Sequence, residues 1–151
     1  MAPFGSKRPG FTLIELLMVI AIMAILSSIV FLALNPTRQL GLSRNRKRHN
    51  DITSILNALY QYAIDNNGVL PTSIPTGTAK QICMPSAVNC NNGVDLSVLS
   101  QTGTYLVHIP SDPQASTTGT GTNYWIMRDG SRRLTITAPG AEQNEVVAAT
   151  K

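Results

Sequence analysis

The stretch KRPGFTLIE, residues 7–15, decides how the chain is read. Two basic residues, a proline and a glycine lead into Phe11, where a long apolar run begins. From Leu16 to Leu34 (LLMVIAIMAILSSIVFLAL) there is no charged residue. With Phe11–Ile14 the run reaches the ~20 residues that a membrane-spanning helix requires. It is apolar on every side, whereas a helix lying on a soluble core would show one polar face. A cleavable secretory signal fits poorly, because its apolar region is about 7–15 residues and is followed by a small-residue cleavage site. A plain signal anchor fits the length equally well.

Glu15 sets this segment apart from a plain anchor. A carboxylate well inside a bilayer costs about 2.5–3.5 kcal/mol on insertion scales, and such groups usually have a partner or a function. Cutting the chain after Gly10 would create a partner. Phe11 would then begin the chain with a free amine, one helical turn from Glu15, within reach of its own carboxylate or that of a neighbouring copy. The competing explanation is local: an acid in the first turn complements the helix macrodipole.

Gly10-Phe11-Thr12-Leu13-Ile14-Glu15, behind a short basic leader and ahead of the apolar run, resembles the processing site of type IV pilins and pseudopilins. The resemblance covers residues 1–34 strongly and the remainder only in general layout. It implies a leader at 1–10, cleavage by a prepilin peptidase between Gly10 and Phe11, and methylation of Phe11. It also implies pairing of Glu15 with the terminal amine of an adjacent subunit, which would set axial register in a bundle of helices. Ala24 and Ser28, at i and i+4, would let such helices approach closely. The partners implied are other subunits of a homopolymer, the peptidase, an inner-membrane assembly platform with its ATPase, and membrane lipid before assembly. Before assembly the chain would cross the cytoplasmic membrane once with its leader on the inner side, and after assembly it would stand in an extracellular pilus or a periplasmic pseudopilus. A count of basic residues alone argues the opposite orientation, since Arg38, Arg44, Arg46, Lys47 and Arg48 follow the span. The processing motif is the more specific signal.

Beyond the span, Asn35-Pro36 interrupts the helical pattern, because Pro36 has no N–H for the preceding turn. Gly41 weakens the turns that follow. Pilins often carry a proline where Leu32 stands here, so the resemblance does not place a kink. From Ile52 a stripe returns at Ile52, Ile55, Leu56, Leu59 and Ala63, and Asn66-Asn67-Gly68 with Pro71 ends it. One interrupted helix is expected from about residue 12 to 65, its part at 35–66 amphipathic, followed by a head at 67–151. In the head, Val69–Ser100 reads as a connecting loop. Three short strands are expected at Thr104–Ile109, Asn123–Arg128 and Leu134–Ala138, with Asp129-Gly130 as a hairpin signal. The fold class is α+β: a long helix whose second half packs on a small antiparallel sheet, like a pilin head.

The remaining features carry less chemistry. Net charge is +4, falling to +2 without Lys7 and Arg8, too little to argue for nucleic acid. The run Arg44–His49 fits a solvated helix face, or a surface for anionic lipid, DNA or a neighbour's acids. No aromatic residues interleave it, so DNA is unsupported. Cys83 and Cys90 lack zinc spacing and read as a disulfide outside the cytoplasm. His49 and His108 stand apart, and no phosphate loop or metal-spaced cluster is present. Asp112 reads as a turn cap; one aspartate does not make a calcium site. No enzyme, cofactor or metal is expected. The expected role is a structural subunit of a pilus-like filament; the alternatives are a pseudopilin of a type II secretion system and a monomeric, signal-anchored binding domain.

Overall fold

The computed structural model describes residues 10–85, 87, 90, 92–116 and 118–151. The leader basic residues Lys7 and Arg8 lie outside the described residues. The chain forms two compact units, one ending at Gln39 and the other running from Leu40 to Lys151.

In the first unit, helix α1 spans Leu13–Leu34, and none of its residues is buried. At 1.5 Å per residue it is about 33 Å long, enough to cross a hydrocarbon core. The described chain has one helix with the length and apolarity to do so. Asn35 ends it in the left-handed conformation, φ 41°. The same residue starts helix α2, Pro36–Asp65. Its side-chain oxygen accepts from Arg38 N (3.3 Å) and Thr37 Oγ1 (2.9 Å). Pro36 therefore occupies the first helical position, where its missing N–H costs nothing. The expected disturbance is a full break between two helices, made by Asn35 as much as by the proline.

The second unit is α+β and pilin-like. Its sheet is antiparallel, with strands β1 (Lys80–Cys83), β2 (Gly121–Arg128), β3 (Leu134–Ala138) and β4 (Val147–Thr150) side by side in chain order. The buried face of α2 packs on it. Ile52, Ile55, Leu56 and Leu59 share one core with Ile82, Tyr124, Ile126, Leu134, Ile136 and Val147. On the sheet these come from alternate positions, as a half-buried sheet requires. α2 ends as its sequence signals: Asn67 and Gly68 take positive φ, and Gly68 N donates to Ala63 O at 2.7 Å.

Two of the three expected strands form, and one does not. Residues 104–109 are bends without a ladder. Without strand alternation, Tyr105, Leu106 and Ile109 lie against the core while Val107 is exposed. β1 lies inside the expected connecting loop, which also holds a 3-10 turn at Ser97–Leu99. β4 was not expected either. The hairpin between β2 and β3 occurs at Asp129-Gly130, but its turn runs over 129–133. The left-handed residue there is Arg132, φ 66°, and Asp129 Oδ1 accepts from Arg133 N at 2.8 Å.

Cys83, the last residue of β1, is joined to Cys90 by a disulfide, with Cα atoms 5.5 Å apart. Just beyond it the chain returns along β1: Cys83 N donates to Val94 O (3.0 Å) and Val94 N to Gln81 O (2.8 Å). The bond thus fastens a segment that covers the outer edge of β1. Closing so short a loop is worth about 2.5 kcal/mol on the chain-entropy account. Replacing both cysteines by serine should lower unfolding free energy by about that amount in urea titrations of the full chain. An unchanged midpoint would show that the bond adds nothing to the head.

Candidate processing and assembly segment

Gly10 and Phe11 precede α1, and Phe11 is 93% exposed. Helix α1 starts with a reciprocal cap. Thr12 is the N-cap, and Glu15 N donates to its hydroxyl at 3.3 Å. Glu15 Oε2 in return accepts from Thr12 N and from Thr12 Oγ1, both at 2.8 Å. Thr12-Leu13-Ile14-Glu15 is thus a capping box, satisfying donors that a helix start leaves open. This Thr-x-x-Glu spacing is legible in the sequence and gives Glu15 a role beside that of a cation's partner. The two roles use different atoms. Both bonds to Thr12 fall on Oε2, and among the described residues Oε1 has no hydrogen-bond partner. The box fixes the side chain at the helix start, one turn from the position where a cut after Gly10 would leave an amine.

Glu15 is the single charged residue of α1. Ala24 and Ser28 are exposed, and Ser28 Oγ donates to its own helix at Ile25 O, 2.7 Å. Its hydroxyl therefore adds no unsatisfied group to an apolar surface.

The sequence profile of the prokaryotic N-terminal methylation motif matches residues 5–31. The chain carries a prepilin-type signal. This is the signal of type IV pilin-like and pseudopilin precursors, and it implies processing by a prepilin peptidase. No curated protein and no solved structure gives a significant match to the chain.

The basic run after the span has a different role from those the sequence suggested. Arg44 and Arg48 are turned into the head. Arg48 is fully buried and forks onto Asp112, with Nε to Oδ2 at 2.6 Å and Nη2 to Oδ1 at 3.1 Å. It also reaches Asn45 Oδ1 (2.8 Å) and Gln114 Oε1 (2.7 Å). Arg44 makes a bidentate pair with Glu142 at 2.6 and 2.7 Å. That contact, with help from Arg48, holds the Glu142 carboxyl down to about 2, so it stays ionised at any physiological pH. Asn45 donates to Glu142 O and Glu145, and His49 meets Glu145 at 3.2 Å. Lys47 pairs with Asp51 along the helix. Within Arg44–Arg48, Arg46 is the one basic residue without a salt bridge among the described residues. Arg44, Asn45 and Arg48 are therefore an internal clamp on the 110–115 and 139–146 segments, while Arg46 and Lys47 remain on an exposed helix face, as one of the expectations had it. Little of the run's charge is left for lipid or DNA.

Asp112 caps a turn as expected, accepting from Gln114 N at 2.7 Å, and additionally anchors Arg48. Its acidic partner status was not legible, because Arg48 and Asp112 are far apart in sequence. A weaker signal existed. Gly41, Asn45 and Arg48 extend the spacing of Ile52, Ile55 and Leu59 back along one face of α2, and all are buried. At Gly41 a Cβ would meet Gln143 Nε2 at 3.2 Å, so the glycine admits the 142–143 turn rather than merely weakening the helix. Among the described residues no group of three His, Cys, Asp or Glu side chains could hold a metal ion.

Truncating Arg48 leaves Asp112 as an unpaired buried charge, a loss that generally costs about 3–5 kcal/mol. Arg48→Ala should lower head stability by about that much in urea unfolding, whereas Arg46→Ala should stay within about 0.5 kcal/mol. Equal effects of the two substitutions would contradict the clamp.

Proposed function

We propose that the chain is a structural subunit of a type IV pilus-like filament. It is made as a prepilin, anchored by α1, cut between Gly10 and Phe11, methylated at Phe11, and polymerised through its N-terminal helix. The observation that carries this reading is the coincidence of the methylation motif, residues 5–31, with a helix whose one charge is Glu15. A lone span gains a helix cap from that carboxylate but nothing that neutralises its charge. In a bundle of such helices, Oε1 is a ready acceptor for the ammonium of an adjoining subunit's Phe11. In a dry bundle the pair is favourable only when both charges are present, and a subunit at the wrong height leaves a charge unmatched. Register and polymerisation thus come from one contact. The protein acts by assembling, and the chemistry belongs to the peptidase and the assembly ATPase. The exposed part of the polymer is the head, whose ionic clamp and disulfide suit a small domain held outside the cytoplasm.

Glu15→Gln tests the pairing. The amide keeps the shape and can still accept from Thr12, so the helix start is retained. It is also cheaper in lipid than a carboxylate. The membrane pool should therefore be normal while fibre yield falls about ten-fold or more, the loss expected when a buried charge loses its opposite. A dipole partner alone would be worth about 0.3–1 kcal/mol and would leave fibres intact. Normal fibre yield from a normal membrane pool refutes the proposal.

A further inference from the structure

The two edges of the head sheet are finished differently. The outer edge of β1 is covered by Val94, which the disulfide loop brings alongside Ile82. Among the described residues, the outer edge of β4 has no such cover. Lys151 and Leu134 exchange both of their backbone bonds, at 2.9 and 3.0 Å. Alternation along an antiparallel ladder then turns the N–H and C=O groups of Val147 and Ala149 toward β3, and those of Val146, Ala148 and Thr150 outward. Among the described residues, none of these outward groups bonds to another part of the chain. Val146 is 85% exposed, and Ala148 and Thr150 are exposed. The strand has no proline, no bulge against β3 and no charge between Glu145 and Lys151. These are devices by which proteins normally blunt an edge; a further one, shortness, does apply, since β4 has four residues.

We propose that β4 is a docking edge for the β4 of a second copy of this chain, paired antiparallel about Ala148. The sequence Glu145-Val-Val-Ala-Ala-Thr-Lys151 is charge-complementary to itself when reversed. With Ala148 opposite Ala148, Val146 faces Thr150, and Glu145 of each copy faces Lys151 of the other. All the outward-turned residues then meet one another, so every free donor and acceptor on the edge finds its counterpart. A slip of one residue would set outward groups against inward ones. A slip of two restores the ladder but separates Glu145 from Lys151. Within one copy Glu145 already meets Asn45 and His49, and Lys151 meets Asn57 and the Tyr60 ring, so the facing opposite charges add a secondary preference for this register to that of the backbone ladder.

The contact is isologous, so it closes with two copies and cannot lengthen a polymer. It is separate from assembly through α1 and does not rest on the filament reading. Seven residues a side bury well under the surface of a standard interface. Two dilute copies would pair weakly, and copies held at high effective concentration would pair firmly.

Cysteine cross-linking of the full-length protein in detergent tests it. The native cysteines are joined to each other, so one added cysteine is the only free thiol. In an antiparallel hydrogen-bonded pair the Cα atoms lie about 5.5 Å apart, within disulfide reach. On mild oxidation of concentrated protein, Ala148→Cys should dimerise about ten-fold faster than Ser131→Cys, an exposed control in the β2–β3 turn. Mixed Val146→Cys and Thr150→Cys proteins should form the heterodimer in preference to either homodimer. Ala148→Cys should dimerise equally well in a Glu15→Gln background, whatever that change does to fibres. Ala148→Cys no faster than the control, or no preference for the 146–150 heterodimer, overturns the proposal.

Discussion

A carboxylate at the start of an apolar helix must find a partner or accept a proton, and Glu15 finds half of a partner within its own turn. Thr12 supplies two donors, both to Oε2. That arrangement orients the side chain and satisfies the helix start, yet it neutralises no charge. The second oxygen is left for a cation, and the nearest one that processing can create is the amine of Phe11. An amine cannot exist there until the bond after Gly10 is cut. On the proposed reading, processing and assembly would be ordered by chemistry: an uncut subunit would have the acid without the base, and could not satisfy a neighbour.

The head solves a similar problem by a different route. Its apolar stripe on α2 reaches only back to Ile52, and the buried face continues through Arg48, Asn45 and Gly41. Polar groups on a buried face are tolerable only when they are bonded. Arg48 uses Asp112, Gln114, Asn45 and Glu142 to achieve that. All buried side-chain polar atoms among the described residues have partners. The consequence is specificity of placement. The loops at 110–115 and 139–146 are held to α2 by directional contacts where the sheet offers no further apolar cover.

What could be read from the sequence follows the range of the forces involved. The span, the α2 stripe, the helix stop at Asn67-Gly68, and the strands around Trp125 and Ile136 rest on local periodicity and turn chemistry. The capping box is equally local, carried by the Thr12-x-x-Glu15 spacing. The clamp was not legible, since it joins residues that nothing in the chain's local pattern associates. The basic run looked like a surface because charge normally is one. Thr104–Ile109 alternates like a strand but lacks a neighbour to pair with; β1 and β4 are short, with Ile82 in one and Val147 and Thr150 in the other as their β-branched residues, and form because β2 and β3 present ladders to them. Strand identity there is a tertiary property.

The central claim is that this chain is a substrate for cutting and methylation before it assembles. Mass analysis of the N-terminal peptide from sheared surface or membrane fibres tests it most directly. The account predicts a peptide beginning at Phe11 with one added methyl group on its amine. Assembled material that keeps residues 1–10, or that begins beyond Leu34, would contradict it.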